Sequence, residues 1–250
     1  MGVPPQRIVS LVPSLTELVA WLGAADRLVG RTKFCTEPPE AVGRVPAVGG
    51  TKNPDLAAIT ALGSDLVIAN REENRREDVE ALRAAGIEVL VTGIDTVGEA
   101  VEAIQELGEL LGAAERADQL ARDIAAALDK GQLAAGAARK RVYAGVWHNP
   151  MMGLGAGTYG HSLLEACGAA NVLGERERYP EVTMEELRTL NPDLVLLPDE
   201  PFPFDEGHAV LYGRIAPARV IDGKLLWWYG PRMPGAIREL RRILAEAGER

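Results

Sequence analysis

The sequence predicts an α/β protein built from two similar βα lobes with parallel-rich sheets. Short apolar segments typical of buried strands alternate with helix signals, which is the order that gives parallel sheets. The signals of the first half return in the same order in the second half. Between the halves lies a stretch rich in Ala, Glu and Leu that contains no proline and favours helix. We therefore predict a first lobe at residues 1–113, a long rigid connecting helix at 114–138 and a second lobe at 139–250.

The first lobe opens with a strand and continues with alternating helices and strands. Continuous apolar runs predict buried strands at residues 8–12, 65–69 and 87–91. Ser14 with Glu17 forms a capping-box pattern and predicts the start of the first helix. Asn53 followed by Pro54 predicts a second helix start. A further helix is predicted over residues 74–85, closed by a glycine.

The second lobe repeats this pattern, which is the strongest organisational signal in the chain. The strand around Val142 corresponds to the strand around Val9. A capping-box pattern returns at Ser162, and another begins at Thr183, each with Glu three residues later. The run Asp-Leu-Val-Leu at 193–196 repeats Asp-Leu-Val-Ile of the first lobe. The two lobes are therefore predicted to share one topology.

Composition excludes several classes of protein. The chain has 250 residues, is 47% hydrophobic and carries 27 basic and 36 acidic residues, a net charge of −9. An acidic surface argues against nucleic acid or an anionic membrane as the main partner. Two cysteines are too few for a disulfide framework or a Cys-rich zinc site. No apolar run approaches the ~20 residues of a membrane-spanning helix, so no membrane insertion is predicted.

The sequence also carries none of the common catalytic or cofactor motifs. It contains no nucleophile elbow, P-loop or dinucleotide fingerprint. No His-x-x-His or Glu-x-x-His pair is present to form a metal site. We therefore predict a protein that is not an enzyme, with no resident metal and no intrinsic cofactor.

The first residues carry no signal for secretion. Met1 is followed within a few residues by the first strand, without the basic start and long apolar stretch of a signal peptide. This pattern predicts a cytoplasmic location. The alternative is that a signal segment has been removed, and that the protein is periplasmic or anchored to the cell envelope.

Three segments resemble a known family. Residues 7–17 (RIVSLVPSLTE), 65–69 (DLVIA) and 86–89 (GIEV) are similar to the helical-backbone, or class III, substrate-binding proteins of ABC importers. These importers take up cobalamin, haem and ferric siderophores, and the resemblance is greatest to the cobalamin-binding members. It covers nearly the whole chain. It implies two α/β lobes with a rigid helix behind them, a ligand cleft between the lobes, and an ABC permease as partner. We also predict that the protein is a monomer.

One feature departs from the family pattern. In the family, an acidic residue on each lobe docks to arginines of the permease. Here Arg75 and Arg76 stand near the position where the acid of the first lobe is expected. The inference that a permease binds this chain is weaker for that reason.

The predicted ligand site follows from strand order. Ligands of open parallel sheets bind outside the carboxyl ends of the strands, and the segments that follow the predicted strands are polar, aromatic and rich in Gly and Pro. The predicted ligand-binding residues are Thr32, Lys33, Phe34, Cys35, Thr51, Lys52, Asn70, Arg71, Glu72, Trp147, His148, Tyr159, Tyr179, Glu200, Trp228, Tyr229 and Arg232.

Several of these residues have more than one interpretation. Cys35 is either a thiol at the edge of the core or a ligand contact, and His148 is an axial or cleft contact for a metal chelate or a packed side chain. The run Trp227-Trp228-Tyr229 is predicted to be a strand with one indole buried. Trp228 and Tyr229 are predicted to face the cleft.

The predicted function is the non-catalytic binding of a cobalamin, related corrinoid or other metal chelate, linked to ABC-type uptake or to cytoplasmic ligand handling. A haem-binding or ferric-siderophore-binding protein is an alternative of the same kind. A rival of another class is a chelatase-like enzyme of tetrapyrrole metabolism, because such enzymes also use two α/β lobes. That enzyme would need converging acid and histidine groups, for which the sequence offers Glu72, Glu200 and His148.

Overall fold

The computed structural model describes residues 3–130 and 138–247, which form two compact units. The first unit comprises the chain up to Ile94 together with Glu99–Arg122 and Tyr229–Pro231. The second comprises Asp95–Gly98, Asp123–Trp228 and the residues from Arg232 onward. The predicted lobe boundaries at 113/114 and 138/139 stay a prediction, and most of the Gly/Ala-rich stretch predicted to end the connecting helix lies outside the described residues.

The first unit is a four-stranded parallel sheet with helices between its strands. The sheet order is β2-β1-β3-β4, and every pairing is parallel. Its strands are β1 (Ile8–Ser10), β2 (Leu28–Arg31), β3 (Leu66–Asn70) and β4 (Glu88–Thr92). Its intervening helices are α1 (Pro13–Trp21), α2 (Pro39–Val42), α3 (Leu56–Ala61) and α4 (Arg76–Ala84). All five residues of β3 are buried, as expected for a central strand covered on both faces.

The second unit repeats this arrangement. Strand β5 pairs in parallel with β7 and with β8, and β8 pairs in parallel with β9, while a short β6 is antiparallel to β5. The strands are β5 (Lys140–Trp147), β6 (Met152–Gly153), β7 (Ala169–Asn171), β8 (Leu194–Pro198) and β9 (Ala218–Ile221). The helices are α7 (Tyr159–Ala166), α8 (Met184–Leu190), α9 (Glu206–Tyr212), α10 (Lys224–Trp227) and α11 (Met233–Glu246). The order β7-β5-β8-β9 is that of β2-β1-β3-β4, so the predicted fold class of two similar parallel-rich βα lobes is confirmed.

The same polar brace holds the first strand in each unit. The Arg7 guanidinium donates to the carbonyl oxygens that follow α3, and its backbone N–H donates to Asp65 Oδ1 at 3.0 Å. The Arg141 guanidinium donates to the carbonyl oxygens at the end of α8, and its backbone N–H donates to Asp193 Oδ2 at 2.8 Å. Each brace satisfies carbonyl groups that a helix leaves without a partner at its end. The internal repeat therefore extends to specific side chains.

Each unit has its own apolar core. In the first unit it is formed by Val9, Leu11, Val67 and Val89, with the inner faces of α3 and α4. In the second it is formed by side chains of β5 and β8, with Leu187 of α8 and the aromatic residues that follow β8.

Several helices begin or end at residues other than those predicted. Pro13 occupies the first turn of α1, so the helix begins one residue before the predicted cap at Ser14. Thr158 caps α7 by accepting from the N–H of His161, which places Ser162 inside the helix. Asp55, not Asn53, caps α3. The capping box at Thr183 and Glu186 is confirmed, with both of its hydrogen bonds present.

The helical stretch between the repeats consists of two helices. They are α5 (Val97–Leu110) and α6 (Ala114–Asp129). Gly112, with a φ of +71°, lies in the turn between them, in a conformation that glycine adopts without strain. The predicted start of the connecting helix at 114 coincides with the start of α6. Across residues 3–130 and 138–247, every helix is too short or too polar to cross a membrane.

Candidate functional site

Asn70, the last residue of β3, organises the strand ends of the first unit from within. Its side chain is buried, and its Nδ2 donates to Thr92 Oγ1 at 3.1 Å and to the Tyr229 hydroxyl at 3.0 Å. Its Oδ1 accepts from the backbone N–H of Glu72 at 2.8 Å. Its own N–H donates to Asn74 Oδ1 at 2.8 Å. Two predicted ligand residues, Asn70 and Tyr229, are thus joined to each other beneath the surface.

The segment after β2 divides into buried and exposed side chains. Thr32 and Cys35 are fully buried, and the Thr32 hydroxyl lies 3.1 Å from the Cys35 thiol. Burial raises the pKa of the Cys35 thiol. These contacts favour the interpretation of Cys35 as a core thiol. Phe34 is instead 53% exposed, and the Lys33 ammonium lies 5.0 Å from the centre of its ring.

Basic side chains lie on the loops that follow β2 and β3. Lys52 is exposed, and its ammonium donates to the backbone oxygen of Glu72. The neighbouring Thr51 carbonyl accepts from Asn74 Nδ2 at 2.9 Å. Arg71 is exposed, and its guanidinium packs over Gly93, where a Cβ atom would come within 3.3 Å of it. The predicted residues Lys33, Lys52 and Arg71 therefore present exposed cations at this end of the first sheet.

The strand ends of the second unit carry an aromatic cluster, which consists of Trp147, His148, Phe202, Phe204, His208 and Tyr212. Trp147 ends β5, is 39% exposed and packs edge to face with Phe202, their ring centres 5.3 Å apart. Its indole N–H donates to the Asn149 carbonyl at 3.1 Å, which fixes its orientation. Phe202 in turn packs against Phe204 at 4.7 Å. Because β5 and β8 are neighbours in the sheet, the residues that follow them meet at one edge.

Two histidines lie within this cluster. The ring centres of His148 and His208 are 4.7 Å apart, with the ring planes at 81°. His148 Nδ1 lies 3.3 Å from the Tyr212 hydroxyl, and His208 Nδ1 lies 2.6 Å from Asp205 Oδ1. Burial, with His208 nearby, lowers the pKa of His148, and burial raises the pKa of Tyr212 to about 12. At neutral pH His148 is therefore a neutral imidazole beside a protonated phenol.

Trp228 lies in a different position from the one predicted. The segment before it is the short helix α10, so the predicted strand at 227–229 is wrong. Trp228 is only 7% exposed, its Nε1 donates to Glu200 Oε1 at 3.0 Å, and Lys224 and Arg232 lie 5.2 and 5.1 Å from its ring. Burial raises the pKa of Glu200. The Trp227 indole also binds Glu200, through its backbone oxygen, at 2.6 Å.

The two tyrosines predicted for the second lobe differ in exposure. Tyr159 begins α7 and is 5% exposed, and burial raises its pKa. Tyr179 is half-buried, with the Arg178 guanidinium 5.6 Å from its ring. Arg178 has a φ of +60° and forms an ion pair with Asp95 at 2.8 Å.

The structure thus separates the predicted residues into surface and interior groups. Lys33, Phe34, Lys52, Arg71 and Trp147 present exposed side chains at strand ends. Members of the aromatic cluster that the sequence analysis did not select are Phe202, Phe204, His208 and Tyr212. The available signal was that two of the three phenylalanines of the chain, Phe202 and Phe204, follow the strand predicted around residues 193–196. The ligand-binding role of each residue and the predicted cleft between the lobes stay predictions.

The family model for periplasmic binding proteins matches residues 8–204. The chain belongs to the periplasmic binding protein family. Its relatives include the vitamin B12-binding protein of Salmonella typhimurium, 30% identical over 195 residues that cover 76% of this chain and 71% of the relative. An uncharacterised ABC transporter substrate-binding lipoprotein of Bacillus subtilis is 29% identical over 252 residues, which cover 94% and 79%. The predicted family is confirmed.

Solved structures agree with this assignment. The periplasmic haem-binding protein BhuT, solved with two haems, superposes with a TM-score of 0.85 at 26% identity and covers 98% of this chain and 99% of its own. The periplasmic vitamin B12 binding protein BtuF of Vibrio cholerae superposes with a TM-score of 0.81 at 21% identity and covers 99% of both chains. The second likeness is evidence of the fold alone.

The predicted cytoplasmic location is wrong. The similar proteins are periplasmic binding proteins or, in Bacillus subtilis, a lipoprotein of an ABC transporter. That prediction came from the lack of a secretion signal in the first residues and from the missing match for the permease-docking acid, and membership of this family outweighs both.

Proposed function

We propose that this periplasmic binding protein holds a cobalamin or a related corrinoid outside the cytoplasm, without chemical turnover, and delivers it to an ABC permease. Relatives that are named vitamin B12-binding proteins support the choice of ligand. The matching family and the relatives of this chain are described as binding proteins, which supports binding without catalysis.

The observation that carries the proposal is the exposed edge of the aromatic cluster. Trp147 keeps 39% of its surface exposed although it packs against Phe202, and its indole N–H is already bonded to a backbone oxygen. Its exposed surface is therefore apolar and held in one orientation. A rigid apolar surface of this kind suits the broad ring of a macrocycle, since it contributes contact area at little cost in conformational entropy.

The basic residues of the first unit suit the periphery of such a ligand. Lys33, Lys52 and Arg71 lie on loops at the carboxyl ends of the strands, where parallel sheets bind ligands. A corrinoid carries amide groups and a phosphate, and these groups accept hydrogen bonds from ammonium and guanidinium donors.

Haem is the second candidate ligand. Its support is the likeness to the haem-binding protein BhuT, which at 26% identity is the more similar of the two solved structures described above. Haem also has a broad ring with anionic groups at its edge, so the same residues serve either ligand. Calorimetry with each ligand decides between them.

The test is a calorimetric titration of the natural chain and of Trp147→Ala with cyanocobalamin, haemin and a ferric siderophore in parallel. We expect cyanocobalamin to bind with a micromolar or lower dissociation constant. Loss of an aromatic stacking contact of about 0.5–1.5 kcal/mol should weaken binding by about 2- to 12-fold in Trp147→Ala.

The matched control is Trp21→Ala. Trp21 is 37% exposed, nearly the same as Trp147, but it lies at the end of α1, away from the carboxyl ends of the strands. We expect this variant to bind as the natural chain does. Failure of all three ligands at micromolar concentration, or equal loss in both tryptophan variants, would contradict the proposal.

A further inference from the structure

We propose that His148 and His208 form a two-histidine binding site for a divalent first-row transition-metal cation such as Zn²⁺ or Cu²⁺. The proposal concerns the free cation and is independent of the macrocycle ligand proposed above. It rests on the separation of the two rings, on the hydrogen bonds at their Nδ1 atoms and on the contrast with the remaining histidine.

The separation of the two imidazoles fits a shared ion. Their ring centres are 4.7 Å apart. Two imidazoles that bind one ion at the usual metal–nitrogen distance have ring centres about 4.5–5.5 Å apart. The histidines come from different elements: His148 follows the end of β5 and His208 lies in the first turn of α9.

A hydrogen bond at each Nδ1 leaves Nε2 for a metal. His208 Nδ1 lies 2.6 Å from Asp205 Oδ1 and 3.3 Å from the Asp205 backbone N–H. Because the carboxylate can only accept and its contact is the shorter one, we assign the proton to His208 Nδ1. In neutral His208 the lone pair is therefore on Nε2. His148 Nδ1 lies 3.3 Å from the Tyr212 hydroxyl, which can accept from it in the same way. Histidines that bind metals are usually oriented by such a partner on the other ring nitrogen.

His161 has the opposite arrangement and provides a control within the chain. Asn171 Oδ1 accepts from the Leu173 N–H at 3.0 Å and Asn171 Nδ2 donates to the Leu154 carbonyl at 2.8 Å, which fixes the amide orientation. Its Nδ2 therefore donates to His161 Nδ1 at 3.0 Å, and in neutral His161 the proton is on Nε2. With His161, the pair accounts for all three histidines of the chain.

The surroundings allow access by an ion but supply few other ligands. The His208 side chain is 21% exposed, and Phe202 packs against both imidazoles, at 5.3 and 5.8 Å. In the part of the chain that the structure describes, no group of three or more His, Cys, Asp or Glu side chains is placed to hold a metal. Water would complete the coordination, and imidazole ligands favour copper, nickel and zinc over magnesium or calcium.

The test is a calorimetric titration with ZnCl₂ of the chain without an affinity tag and without macrocycle. We expect one ion per chain. His148→Gln and His208→Gln should each weaken binding by about tenfold or more, since losing a ligand costs at least as much as losing its hydrogen-bond partner. His161→Gln should bind as the natural chain does. Asp205→Asn should weaken binding by about tenfold, because the carboxylate partner of His208 is lost. Asparagine also serves as a helix cap, so the start of α9 should be kept in this variant.

A second measurement covers the case in which a variant fails to fold. In the natural chain labelled with ¹⁵N-histidine, Zn²⁺ should shift the Nε2 resonances of two imidazoles and leave the third unchanged. The proposal is overturned if Zn²⁺ and Cu²⁺ both fail to bind, if both single variants keep the natural affinity, or if His161 responds as the pair does.

Discussion

Replacing Asn70 by alanine removes three side-chain hydrogen bonds from the interior of the first unit. These are the bonds to Thr92, to the Tyr229 hydroxyl and to the backbone N–H of Glu72, at 2.8–3.1 Å. A net contribution of about 1 kcal/mol for each gives a loss of about 3 kcal/mol in the free energy of unfolding. The side chain is 3% exposed, so water cannot replace these bonds without rearrangement.

Urea unfolding followed by circular dichroism measures the loss, which should appear as a lower midpoint with an unchanged slope. Tyr229→Phe removes one of the three bonds and should cost about 1 kcal/mol. Asn53→Ala, at an exposed asparagine of the same unit, should change stability by less than about 0.5 kcal/mol. The reasoning is refuted if Asn70→Ala is as stable as the natural chain, or if Tyr229→Phe costs as much as Asn70→Ala.

Four further predictions concern stability and thiol chemistry. Burial raises the pKa of Cys35 and raises the pKa of Cys167 to about 12. Both thiols should therefore react with Ellman's reagent at pH 8 far more slowly in the folded chain than in the urea-unfolded chain. Equal rates in the two states would contradict this. Thr183→Ala should lower the free energy of unfolding by about 1 kcal/mol in urea titrations at pH 7. Because a backbone N–H lowers the pKa of Glu186 in the same capping box, its contribution is present above the ordinary glutamate pKa and should be lost as the pH falls through the lowered value. Gly153→Ala would place a Cβ atom 2.4–2.5 Å from two neighbouring side chains and should cost about 1–3 kcal/mol by overpacking, visible as a lower melting temperature.

The strands could be predicted because burial on both faces leaves a continuous apolar run in the sequence. Strands β1, β3 and β8 lie where such runs stand, and the repeat of their order predicted two similar sheets. Helix starts were harder to predict. The pattern Ser-x-x-Glu also occurs inside helices when an earlier residue takes the cap, as Thr158 does for α7. It was correct at Thr183, whose side chain is the one that accepts from the helix N–H.

Trp228 illustrates a limit of short apolar runs. A short apolar run such as residues 225–229 suits a strand or a single helical turn equally well, and periodicity cannot separate the two. Here Asp222 stands three residues before the run, and its carboxylate accepts from the Lys224 N–H at 2.9 Å and starts the turn α10. The resulting geometry buries the indole close to the Lys224 and Arg232 cations and against Glu200. Trp228 therefore supports its own unit, and its replacement is expected to lower stability as well as any binding.

The aromatic cluster shows why strand-end residues could be listed from the sequence but not assigned to a surface. Trp147 and His148 follow β5, whereas Phe202 follows β8 and His208 lies on the next helix. No spacing in the sequence relates these residues, because their proximity depends on β5 and β8 being adjacent in the sheet. The internal repeat does contain that information, since β5 and β8 correspond to β1 and β3, which are also neighbours. The repeat does not, however, tell which strand-end side chains are exposed. Asn70 at the end of β3 is buried and Trp147 at the end of β5 is exposed, because the packing around the two side chains differs.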